Sequence, residues 1–133
     1  MTIEEIENIV WAPLPDDSSY LIRKCHELRR KDLNSFSIEE FRILISQNEA
    51  LEILVPLAID RLNENIFAEG YFYEGDLLKS VLTSEHTFWT KHTDLKQKVI
   101  ALFKHNSRKL LELEVTEEIK ESLFTAFKAF DTA

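Results

Sequence analysis

Four histidines (His26, His86, His92 and His105), the lone cysteine Cys25 and the acids Glu69, Glu74, Asp76 and Glu85 are the side chains best suited to chemistry in this chain. Helical metal sites place two histidines four residues apart, so that both rings leave one face. No pair here has that spacing. One cysteine cannot build a thiolate zinc cluster or an internal disulfide, and it reads as a small apolar core residue compatible with a reducing compartment. Glu69, Glu74, Asp76, Glu85 and His86 are chemically able to hold a cation or share protons. Each of them also reads as a helix cap or a solvated surface acid, and no spacing ties them together. The chain lacks a GxSxG elbow, a Walker loop and a GxGxxG turn. The sequence therefore assigns no catalytic residue, no metal ligand and no cofactor, and a metal-assisted hydrolase is the weakest of the functional readings.

The elements that must carry these side chains are helical almost throughout. "TIEE" at Thr2–Glu5 is a capping box, in which the threonine hydroxyl and the glutamate carboxylate each satisfy a free amide of the first turn. Pro13 and Pro15 stop that helix, which is expected to end near Trp11. "LPDDSS" is a turn that starts a second helix over 19–31, with Leu21, Ile22, Cys25 and Leu28 on one face. "FSIEEF" (36–41) is the clearest start signal: Ser37 and Glu40 form a second capping box, and Phe36 is placed to staple onto Phe41. The segment 50–65, "ALEILVPLAIDRLNEN", is apolar on more than half its circumference, which predicts a central helix. Pro56 inside it predicts a kink or two short helices. Asp76 is placed to cap a short helix to Leu82. A brief helical piece over 83–92, a helix from Thr93, an ambiguous stretch over 105–114 and a helix capped by Thr116 complete the chain. No period-2 strand stands out. The expectation is an all-α single domain over 1–133 with six to seven helices.

The charge of −8 is uneven. Residues 1–35 carry a net −2, residues 36–90 a net −7 and residues 91–133 a net +1. A middle segment so acidic repels phosphate backbones and draws in basic partners. Direct nucleic-acid binding is thus excluded as an expectation. "MTIEEIENIV" is no secretory signal and no apolar run approaches the length of a membrane span, so no membrane contact is expected and the cytoplasm is the expected location.

"EGYFYEGD" (69–76) holds the only two glycines. Gly70 and Gly75 are expected to take backbone angles closed to other residues, turning the chain between the Pro56 helix and the Asp76 helix. Phe72 would then plug the core, while Tyr71 and Tyr73 face outward among acids, a composition typical of protein interfaces.

The block 35–82, "SFSIEEFRILISQNEALEILVPLAIDRLNENIFAEGYFYEGDLLKSVL", resembles the immunity proteins of bacterial contact-dependent growth inhibition (CDI) systems, the CdiI family. The resemblance rests on the helix from Ser37 to Gln47, then "LVPLAI", then the EG-aromatic-Tyr-x-GDLL pattern. It departs from the family pattern at Tyr71, where an acid or small polar residue is common, and at Glu74, where proline is common. The resemblance implies a cytoplasmic binding protein without catalysis. Its partner would be the C-terminal toxin domain of a CdiA-type surface protein, a nuclease such as a tRNase, held in a 1:1 complex. Glu64, Glu69, Tyr71, Tyr73, Glu74 and Glu85 are the expected toxin-facing residues, and Ser37, Glu40, Pro56, Gly70, Phe72, Gly75 and Asp76 the expected scaffold. The alternative is a small helical adaptor or regulator for another basic protein.

Overall fold

The structure is a computed structural model that describes all residues 1–133. It is all-α, with nine helices and one isolated antiparallel bridge, Glu69 to Glu74. The helices are α1 (Ile3–Glu7), α2 (Tyr20–Leu28), α3 (Ile38–Ser46), α4 (Leu51–Glu64), α5 (Asp76–Leu82), α6 (His86–Lys91), α7 (Thr93–His105), α8 (Ser107–Glu112) and α9 (Glu117–Thr132), with a 3-10 turn at Leu33–Ser35 before α3.

The count exceeds the six to seven expected chiefly because the ambiguous stretch 105–114 holds a helix of its own. His92 separates α6 from α7 where the sequence placed that boundary, whereas Asn106 separates α7 from α8, its side-chain amide donating to the Leu102 carbonyl at 2.9 Å. The stretch 105–114 is thus neither loop nor continued helix but a separate short one. Helix α1 stops before Trp11, at Asn8, whose left-handed φ of 55° turns the chain after five helical residues. The Leu21 and Ile22 side chains expected in the core are exposed, and only Cys25 and Leu28 of that face are buried. The first turn of α2 overhangs the body, which α2 meets chiefly through α3.

Both capping boxes form. In α1 the Thr2 hydroxyl accepts the Glu5 amide while Glu5 accepts the Thr2 amide; in α3 Ser37 and Glu40 do the same. The staple forms as well, with the Phe36 and Phe41 rings 5.3 Å apart. Glu40 is shared with Lys31, whose ammonium lies 2.7 Å from one carboxylate oxygen. Burial works to raise the Glu40 pKa, but the Lys31 and Ser37 bonds outweigh it and hold the carboxyl below its ordinary range.

Helix α4 is one continuous helix through Pro56, not the two short helices that were one of the expected outcomes. Leu54, Val55, Ala58 and Leu62 bury one side of it in a cluster of 29 apolar residues that also takes side chains from α3, α5, α7 and α9. Packing on that scale outweighs a proline, because a fully buried Leu or Val stabilises by about 1.5–3 kcal/mol against about 3 kcal/mol lost at a helix-interior proline. Helix α5 lies in the middle of the assembly, against α3, α4 and α9. The N-terminal arm is tied to this body by buried Arg29, which reaches Glu7 at 2.6 Å and lies 4.5 Å over the Trp11 ring.

Candidate functional site: an aromatic loop on a carboxylate frame

The loop between α4 and α5 is built from two acids and one arginine. Glu39 and Arg42, three residues apart on α3, form a fork-to-fork pair with both N–O distances 2.6 Å. Spacing on one helix face makes that pair local, and the planar guanidinium makes it bidentate. Glu39 Oε1 also accepts the Tyr71 amide at 3.0 Å, across 32 residues of sequence. Asp76, at the start of α5, accepts the Gly70 amide on Oδ1 at 2.7 Å and the Phe72 amide on Oδ2 at 3.1 Å. Arg42 Nε stands 3.9 Å from the same Oδ2. Three successive loop amides are thus satisfied by two buried carboxylates, with the arginine paired to Glu39 and within 3.9 Å of Asp76. The bond to Arg42, stronger than the opposing effect of burial, holds the Glu39 carboxyl below its ordinary range, and Glu39 in turn raises the guanidinium.

Asp76 was expected to cap its own helix. Its side chain instead bonds backward to the loop, and Gly75, left-handed at φ 94°, occupies the cap position of α5. A left-handed residue there turns the α5 N-terminus toward the loop, which brings the carboxylate over residues 70–72. Gly75 therefore needs glycine for its φ, as expected. Gly70 does not, since its φ is not positive. A Cβ on Gly70 would stand 2.4 Å from Glu39 Oε1 and 3.0 Å from Asp76 Oδ2. Gly70 is a glycine because two carboxylates converge on its backbone.

The frame also decides which aromatics face solvent. Phe72 does not plug the core: it is 69% exposed, beside Tyr71 at 82%. With the amides of 70, 71 and 72 all drawn inward, the loop is a tight turn, not an extended strand, so neighbouring side chains share the outer side. Arg42 supports Phe72 from below, 4.4 Å from its ring centroid. Tyr73 is the half-buried member; burial first, and the Asp76 charge second, push its phenol pKa up.

Of the acids named from the sequence, Glu69 and Glu74 flank the loop and are joined by the single bridge. Glu64 closes α4 five residues earlier and is exposed. Glu85 lies apart: it precedes α6, at the other end of α5 from Asp76, and its amide donates to Asn48 Oδ1 at 2.8 Å. Glu69, Glu74, Asp76, Glu85 and His86 therefore do not converge. Nowhere do three His, Cys, Asp or Glu side chains group as a metal would need, and no helix is long and apolar enough to cross a membrane. Cys25 is buried, and burial raises its thiol pKa, with a smaller push from Glu49.

The residues missed in the sequence are Glu39 and Arg42. Their i, i+3 spacing was visible inside the capping-box helix; their bond to a loop 32 residues away was not.

Comparison with curated proteins and with solved structures gives no match. The model of a family described as CDI immunity proteins matches residues 5–99, more than two thirds of the chain. That span runs from within α1 to the middle of α7, with the whole loop and its frame, and it extends the resemblance well beyond 35–82. The chain belongs to the family of CDI immunity proteins.

Proposed function

We propose that this chain neutralises the C-terminal toxin domain of a cognate CdiA-type protein by forming a 1:1 complex in the cytoplasm, and that the toxin is a nuclease, such as a tRNase. It acts by occupancy, without catalysis, and touches neither nucleic acid nor membrane itself. The observation that carries this reading is the loop: Tyr71 and Phe72 stand side by side and exposed on a frame that holds the backbone still. Aromatic anchors that lose little freedom on binding are what interface hot spots use. Glu69 and Glu74 flank them, and with Glu64 on the end of α4 they supply part of the net −7 of residues 36–90. A nuclease holds its substrate on a cationic surface, so acids beside an aromatic anchor suit that surface and speed the encounter. Tyr73 contributes its exposed edge, and Glu85 belongs to a different part of the surface.

Co-expression tests the reading. The toxin domain encoded immediately upstream should kill cells that lack this protein and spare cells that make it, and the two chains should co-purify as a 1:1 pair. Tyr71→Ala should weaken the complex by about 2 kcal/mol, roughly thirtyfold in Kd, with the melting temperature of the free protein unchanged. Death despite good expression, with no complex, would refute it.

A further inference from the structure

We propose that the outer face of α4 is a second docking surface for the toxin domain, one that takes a segment bearing lysine or arginine side chains around an apolar one. The inference rests on the reading that the partner is a toxin domain with a cationic surface. Two adjoining cavities, of about 520 and 620 Å³, share Ile6, Glu52 and Ile53 and together form one trough between the N-terminal arm and α4. Ile53, Leu57, Asp60 and Glu64 follow one another at steps of four, three and four, which places them on a single helix face. Ile53 and Leu57 are half-buried apolar side chains there, and Ile6 on the arm, 44% exposed, stands opposite.

The trough is rimmed by acids. Four carboxylates line it, from Glu7, Glu52, Asp60 and Glu85, against three cations, Lys91, Arg61 and the Met1 ammonium, which is paired with Asp32 outside the trough. Glu7 is taken by Arg29. Asp60 and Glu85 pair with no cation, and Glu52 has only His92, at 3.7 Å. Arg61 is drawn over the Phe41 ring at 5.7 Å. An apolar seat with unpaired acids on its rim suits an amphipathic cationic segment and repels an acidic one.

Pro56 adds an independent feature. It lines the trough, sits in the interior of α4 and has no N–H for the carbonyl four residues earlier, that of Glu52. A helix-interior proline is a local cost to the fold, yet its ring forms part of the trough wall, where it offers a rigid apolar contact to a docked segment. The same helix face ends at Glu64, the last residue of α4 before the segment that carries the aromatic loop.

The test is stopped-flow association with the toxin domain encoded upstream, at low and high salt. The triple variant Glu52→Lys, Asp60→Lys, Glu85→Lys should slow association about a hundredfold at low salt, with the gap closing at high salt. A control with the same change in net charge, Glu112→Lys, Glu121→Lys, Asp131→Lys, alters exposed acids outside the trough and should change the rate by less than about threefold. Pro56→Ala returns a helix donor and should raise the melting temperature while weakening the complex about tenfold. Equal slowing by both triple variants would mean bulk charge alone and would overturn the trough, as would Pro56→Ala gaining stability with no loss of affinity. If Tyr71→Ala weakens the complex and the trough variant does not, the trough fails and the immunity reading stands. If the wild-type chain forms no complex, both fall.

Discussion

Gly70→Ala isolates the frame of the loop from everything else in the molecule. At a position whose φ is not positive, glycine to alanine ordinarily stabilises a protein by about 0.4–1 kcal/mol, because the unfolded chain loses freedom. Here the sign should reverse. The new Cβ would lie 2.4 Å from Glu39 Oε1, 3.0 Å from Asp76 Oδ2 and 3.3 Å from Glu39 Cα. Neither carboxylate can give way freely: Glu39 is held by both Arg42 nitrogens and the Tyr71 amide, and Asp76 by the Gly70 and Phe72 amides. Moving Glu39 aside sacrifices at least one charge-assisted hydrogen bond, worth about 1.5–3 kcal/mol, and the expected net cost is about 2 kcal/mol. Urea unfolding followed by tryptophan fluorescence gives the number. The same substitution in a Glu39→Ala background should cost less by at least about 1 kcal/mol, since the obstructing oxygen is gone; coupling of that size is usual for groups in contact. An unchanged or stabilised Gly70→Ala protein, or an equal cost in both backgrounds, would refute the claim that the carboxylates exclude a side chain at this position.

Two further outcomes follow from the same geometry. The Glu39 pKa is lowered in the folded chain, so its contribution to stability is complete above the unfolded glutamate value of about 4.3 and is lost as pH falls through the lower folded value; the melting temperature should fall more steeply below about pH 4.3 in wild type than in Glu39→Gln, and parallel curves would contradict the assignment. Gly75→Ala forces an L-residue to φ 94° and brings a Cβ to 3.1 Å from Leu123 Cδ1 of α9, which should cost about 1–2 kcal/mol in urea unfolding; a neutral result would mean the turn relaxes without that backbone angle.

Some elements were legible because their causes lie within a few residues. The two capping boxes and the Phe36 staple act over three to five positions, so reading Thr2, Glu5, Ser37, Glu40, Phe36 and Phe41 in order was enough to place the starts of α1 and α3. The all-α class followed from hydrophobic spacing of the same short range. The break at Asn106 and the unbroken path through Pro56 were not legible, because a local signal had to be weighed against burial that the sequence does not display.

The sequence by itself determined where most helices begin, which stretch is most acidic and that two glycines bound one aromatic loop. It could not determine why Gly70 is a glycine, since the answer is a carboxylate from α3 more than thirty residues earlier. Nor could it say that Asp76 bonds backward instead of capping α5, or that Phe72 faces solvent while Tyr73 is half-buried. Those outcomes depend on α3 and α5 lying side by side, which only tertiary packing provides. Once Glu39, Arg42 and Asp76 meet there, desolvation makes their mutual bonds compulsory. The three loop amides follow those bonds, and the aromatic side chains turn to whichever side the amides leave free.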